Sequence, residues 1–118
     1  MKTDNVIQQK SFEFAIKIVN LYKFLKIEKK EFVLSKQILR SGTSIGANVE
    51  EAIGGKSKAD FLSKLSIAYK EARETVYWLK LLFATDFITK EYFENLIIDA
   101  ETICRIIGKI QLTIKSQL

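Results

Sequence analysis

The chain has 118 residues, 47% hydrophobic and 28% charged, which suits a single domain over 1–118 and excludes an intrinsically disordered chain. One Cys forbids an intrachain disulfide, and the lack of His removes Ser-His-Asp triads, Cys-His pairs and the usual zinc and di-iron ligand sets. The net charge of +5 lies wholly in the first half: residues 1–58 hold 11 Lys/Arg against 6 Asp/Glu, and residues 59–118 hold 8 of each.

The opening segment MKTDNVIQQK has no apolar stretch, so no signal peptide is expected. No run approaches the ~18 apolar residues of a membrane span. A cytoplasmic protein without membrane contact is therefore expected. The absence of Pro and the abundance of Lys, Glu, Leu and Ile favour helix throughout. The first predicted helix covers 12–25, and its apolar residues (Phe12, Phe14, Ala15, Ile16, Ile18, Val19, Leu21, Tyr22 and Leu25) span roughly 220°. That arc is too wide for one core face, so part of it is expected to meet another subunit.

A charged turn at 26–31 and an apolar patch at 32–34 lead to Ser35, the N-cap candidate of the second helix. This helix runs to Ile53 and stops at Gly54-Gly55, with Ser57 placed to cap the third. The third carries the seam Phe61, Leu65, Ala68, Ala72, Thr75, Leu79, Leu82, in steps of 4 and 3. Thr89 is placed to cap the fourth, whose seam is Phe93, Leu96, Ala100, Ile103, Ile107, Ile110, Ile114. The expected fold class is all-α, an up-down antiparallel four-helix bundle. Facing residues of the last two helices should have numbers summing to about 175, which sets Ala68 against Ile107 and Ala72 against Ile103.

Three motifs could carry chemistry. Gly55-Lys56-Ser57 resembles the end of a phosphate-binding loop, but Glu50 stands where the first Gly belongs and no strand precedes it. Gly42 and Gly46 have the spacing of a close helix approach. Glu71 and Glu74 could hold magnesium if Glu50-Glu51 or Glu91 and Glu94 completed the site, yet those lie near helix ends. The structural alternative pairs Glu71 with Arg40. If the second and third helices turn near residues 55–56, facing numbers sum to about 111, and Arg40 meets Glu71. Arg40, Ser44, Asn48 and Glu51 share about 80° of the second helix and form a polar strip with Glu71 and Glu74.

These same residues resemble a known family. Arg40-Ser41-Gly42-Thr43-Ser44-Ile45-Gly46-Ala47-Asn48-Val49-Glu50-Glu51-Ala52 is similar to the second-helix signature of the bacterial four-helix-bundle proteins encoded in 23S ribosomal RNA intervening sequences. Asp60-Phe61, Ala68-Tyr69-Lys70-Glu71-Ala72 and Glu74-Thr75-Val76-Tyr77-Trp78-Leu79 resemble its third-helix signature. The family's Ser, Asn and Glu fall on Ser44, Asn48 and Glu51, and its third-helix glutamates on Glu71 and Glu74. Ala52-Ile53 departs from the pattern, where many members place Gly directly after the Glu. The resemblance implies a homopentameric ring and no assigned activity. More distant cousins, the accessory variability proteins of retroelements, are basic barrels that bind nucleic acid.

The expected role is therefore non-enzymatic, with no cofactor and no catalytic or metal-ligating residue. Five copies at +5 each would carry about +25, a strong field for RNA or DNA. The candidate contacts are Lys10, Lys17, Lys23, Lys26, Lys29, Lys30, Lys36, Lys56 and Lys58. Two alternatives stand beside it: an oligomeric scaffold for a protein partner, and a magnesium-dependent nucleotide hydrolase using Glu71 and Glu74.

Overall fold

The computed structural model describes the backbone of residues 2–118 and the side chains from Val6 onward. Among these residues there are four helices and no strand: α1 (Lys2–Ile27), α2 (Leu34–Ile53), α3 (Lys58–Ala84) and α4 (Lys90–Lys115). Each helix packs on the next, and α1 closes against α4, so the four surround one core. The molecule measures 47 × 20 × 19 Å, close to the ~39 Å length of a 26-residue helix plus its connections.

The core follows the periodicity. Leu65, Ala68, Ala72, Thr75, Leu79 and Leu82 of α3 are buried, as are Leu96, Ala100, Ile103, Ile107, Ile110 and Ile114 of α4. Phe83 stacks on Phe93 with centroids 4.7 Å apart, and Gln111 Nε2 donates to Ser66 Oγ at 3.0 Å. Both contacts fit the antiparallel register expected for this hairpin. Small residues of α3 lie level with isoleucines of α4, which fills the middle layers without overpacking.

Helix α1 is longer than the expected 12–25. Nothing between Lys2 and Phe12 breaks a helix, and Ile7 adds a further buried position seven residues before Phe14. Its inward face is Ile7, Phe14, Ile18, Leu21 and Leu25; Phe12 and Ile16 remain 67% and 49% exposed. Gly42 and Gly46 let α1 approach α2, since Ile18 lies over Gly42 and the Ser11 backbone over Gly46.

Local chemistry ends the helices. Ser57 accepts from the Asp60 N–H at 3.1 Å and Thr89 from the Tyr92 N–H at 3.1 Å, both as expected. Ser35 is not a cap. It sits inside α2 with its hydroxyl donating to the Glu31 carbonyl at 2.9 Å, and the Glu31 carboxylate accepts from the N–H groups of Val33 and Ser35 instead. The carboxylate reaches the helix start from outside and also complements its positive end. At the end of α3, Asp86 (φ 67°) occupies the left-handed position usually held by Gly. The Phe87 N–H returns to Leu82 O at 2.9 Å and the Asp86 N–H to Phe83 O at 3.1 Å.

Candidate functional site

The polar strip between α2 and α3 centres on Arg40. Its Nη1 lies 3.2 Å from Glu71 Oε2, and its Nη2 binds Glu74 Oε2, which also accepts from Trp78 Nε1 at 2.9 Å. Glu74 thus joins Arg40 to the indole of Trp78 within the chain. The guanidinium side chain is 49% exposed, Glu71 20% and Glu74 35%, so the network lies at the bundle surface. Ser44 and Asn48 do not join it: Ser44 Oγ donates to Arg40 O at 2.5 Å and Asn48 Nδ2 to Ser44 O at 2.8 Å. Glu51 pairs separately with Lys64 at 3.3 Å.

The register between α2 and α3 is also about one turn further along than expected. Ser41 Oγ and Thr75 Oγ1 meet at 2.9 Å inside the core, and Glu51 meets Lys64. Arg40 still reaches Glu71 because its side chain is long enough to reach back one turn along α3. Thr75 Oγ1 also donates to Glu71 O at 2.8 Å, so with one proton per hydroxyl Ser41 supplies the proton of their mutual bond. This buried pair leaves no orphaned polar group.

The guanidinium engages both carboxylates that a magnesium site would need, and the other acids stand apart. Glu50 accepts from Gln8 Nε2 at 2.8 Å, and Glu94 lies 3.8 Å from Lys90. Among the described residues no group of three or more His, Cys, Asp or Glu is placed to hold a metal ion.

Because the strip is half solvated, replacing Glu71 by Ala is expected to cost only about 0.5–1 kcal/mol. Glu74→Ala removes an acceptor from both Arg40 and the indole, and should cost about 1–2 kcal/mol. Urea unfolding measures both. Emission from Trp78, the single Trp, should change in the Glu74 variant and stay close to wild type in the Glu71 variant.

The nine lysines do not form one face. Lys23, Lys26, Lys29, Lys30 and Lys36 gather around the α1–α2 connection at one end of the bundle, and none is in an ion pair among the described residues. Lys26 Nζ lies 5.2 Å from the Tyr22 ring centre and Lys29 Nζ 5.8 Å from that of Phe24. These contacts hold the lysine stems without neutralising the heads. Lys56 and Lys58 lie at the opposite end, about 30 Å away along the 20 residues of α2. Lys10 is exposed on α1 between the two ends, and Lys17 pairs with Asp99 at 2.7 Å.

Sequence reasoning did not connect Trp78 to Glu74, although their i, i+4 spacing signals the contact. It also missed the Ser41–Thr75 pair, which becomes visible only once the two helices are paired.

A crystal structure of a protein with unknown function from the S23 ribosomal protein family of Bacteroides thetaiotaomicron resembles the chain closely. The two are 58% identical with a TM-score of 0.91, and the match covers 92% of this chain and 97% of that one. No curated protein matches. The model of the family described as 23S rRNA-intervening sequence protein matches residues 3–109. With that match reaching into all four helices, the chain belongs to the 23S rRNA-intervening sequence protein family.

Proposed function

We propose that this protein is a non-catalytic homo-oligomer of the bacterial cytoplasm that binds RNA or DNA through its basic end. The observation that carries the reading is the cluster of Lys23, Lys26, Lys29, Lys30 and Lys36 without ion-pair partners among the described residues. Of the nearby acids in that segment, Glu31 is engaged in starting α2. Exposed Phe12 and Ile16 supply an apolar stripe for self-association, and the ring of five implied by the family resemblance would multiply the lysine cluster. Contacts of this kind hold phosphates and carry little sequence information. The engagement of Glu71 and Glu74 by Arg40 supports the non-catalytic part of the reading.

The test is binding of labelled single-stranded RNA and duplex DNA over a salt series, with light scattering on the same samples. Wild type should bind as an oligomer and lose affinity steeply with salt. Replacing Lys23, Lys26, Lys29 and Lys30 by Ala should weaken binding and lower the log–log salt slope by about 0.7 per lost RNA contact. A monomer mass, or a slope unchanged in the variant, overturns the proposal. A protein partner retained at high salt would favour the scaffold reading instead.

A further inference from the structure

A second basic feature lies in the charge-balanced half of the chain. The outer faces of α3 and α4 enclose a groove of about 560 Å³, within the range of small-molecule sites. Arg73 and Lys80 line it from α3, and Arg105 lines it from α4. None of the three is in an ion pair among the described residues; Arg105 Nη2 only donates to Thr102 Oγ1 at 3.2 Å. The Cys104 thiol lines the same groove as both guanidinium groups. Burial raises that thiol's pKa, Arg73 lowers it, Glu101 raises it and Arg105 lowers it, with a net rise. The groove therefore holds three cations against the one carboxylate of Glu101.

Its walls are aromatic as well as basic. Tyr77 is 58% exposed, and the edge-on contact with Trp78, 5.0 Å between centroids, holds its ring in place. Tyr69 lines the same groove two turns away on α3.

Gly108 on α4 keeps the groove open. A glycine inside a helix disfavours that helix about fivefold relative to Ala. At Gly42 a tightly packed neighbour explains the missing side chain, but a Cβ on Gly108 would meet nothing within 4 Å. No contact within the fold requires the glycine there.

We propose that this groove binds a nucleotide, with its phosphate held by Arg73, Arg105 and Lys80 and its base against Tyr77. Guanidinium groups suit phosphate oxygens, a tyrosine face stacks on any base, and the Glu101 carboxylate can accept from ribose hydroxyls. The same chemistry is offered by a free nucleotide or by one unit of a single strand. The proposal does not rest on the lysine cluster, since none of those nine lysines lines the groove.

The experiment titrates AMP, inorganic phosphate and a six-residue oligoadenylate into the full chain by calorimetry. It is repeated with Gly108→Leu, which fills the groove, and with Arg73→Glu, which reverses its charge; circular dichroism checks that both fold. Binding of AMP that falls at least tenfold in both variants supports the proposal with a free nucleotide as ligand. Binding of the oligoadenylate alone, with the same tenfold loss, supports it with a strand as ligand. If neither probe binds, if the variants bind as wild type does, or if phosphate binds as tightly as AMP, the proposal fails. The lysine variant described above should keep its AMP affinity, so the failure of one reading is visible apart from the failure of the other.

Discussion

Replacing Ile107 by Ala is expected to lower stability by about 3–4 kcal/mol, a large share of the ~5–15 kcal/mol typical of a domain. Ile107 is fully buried in the middle of α4, where lost contacts cannot be replaced by water and four packed helices limit collapse around the cavity. Ala68 of α3 is also fully buried and lies level with it in the antiparallel register. Ala68→Leu alone should overpack that layer and cost about 1–3 kcal/mol. The two changes remove and add the same number of carbon atoms. Combined, they should cost at least 1 kcal/mol less than the sum of the single variants, measured by urea unfolding of all four proteins. Strict additivity would place the two side chains out of contact and overturn the register.

That layer was legible in the sequence because a 4–3 seam identifies buried positions without reference to a partner. Ser57 and Thr89 were legible as caps because each acts on its own helix three residues on. Ser35 misled because the group that starts α2 is the side chain of Glu31, reaching forward from the connection. The beginning of α1 was hidden by polar Gln8, Gln9 and Lys10, which carry no seam although they do not break the helix. The α2–α3 register rested on the midpoint of a turn, and a turn tells less about level than two seams do. The Arg40–Glu71 contact was nevertheless found, since a long side chain tolerates an error of one turn. Gly108 was silent. A missing side chain acquires meaning only when the space it leaves can be seen.

Gly42 is where the fold is least tolerant of added volume. A Cβ built there lies 2.8 Å from both Cγ1 and Cγ2 of Ile18 and 3.2 Å from its Cβ. Ile18 is fully buried, and its Cβ moves only with the α1 backbone, so no rotamer change removes the clash. Gly42→Ala gains about 1 kcal/mol of helix propensity and still should end about 1–2 kcal/mol less stable. Gly42→Leu should separate α1 from α2 and prevent cooperative unfolding from being seen at all. In an Ile18→Ala background the added cost of Gly42→Ala should fall close to zero, because the two Cγ atoms are gone and the gain in helix propensity offsets the tight contact that remains at Cβ. Gly108→Ala is the control: with nothing near its Cβ, it should raise stability by about 1 kcal/mol. Thermal and urea unfolding of these variants separates propensity from packing. If Gly42→Ala proves as stabilising as Gly108→Ala, α1 does not rest on α2 at this glycine. The exposed stripe of Phe12 and Ile16 would then lose the fixed position that a repeated subunit contact requires.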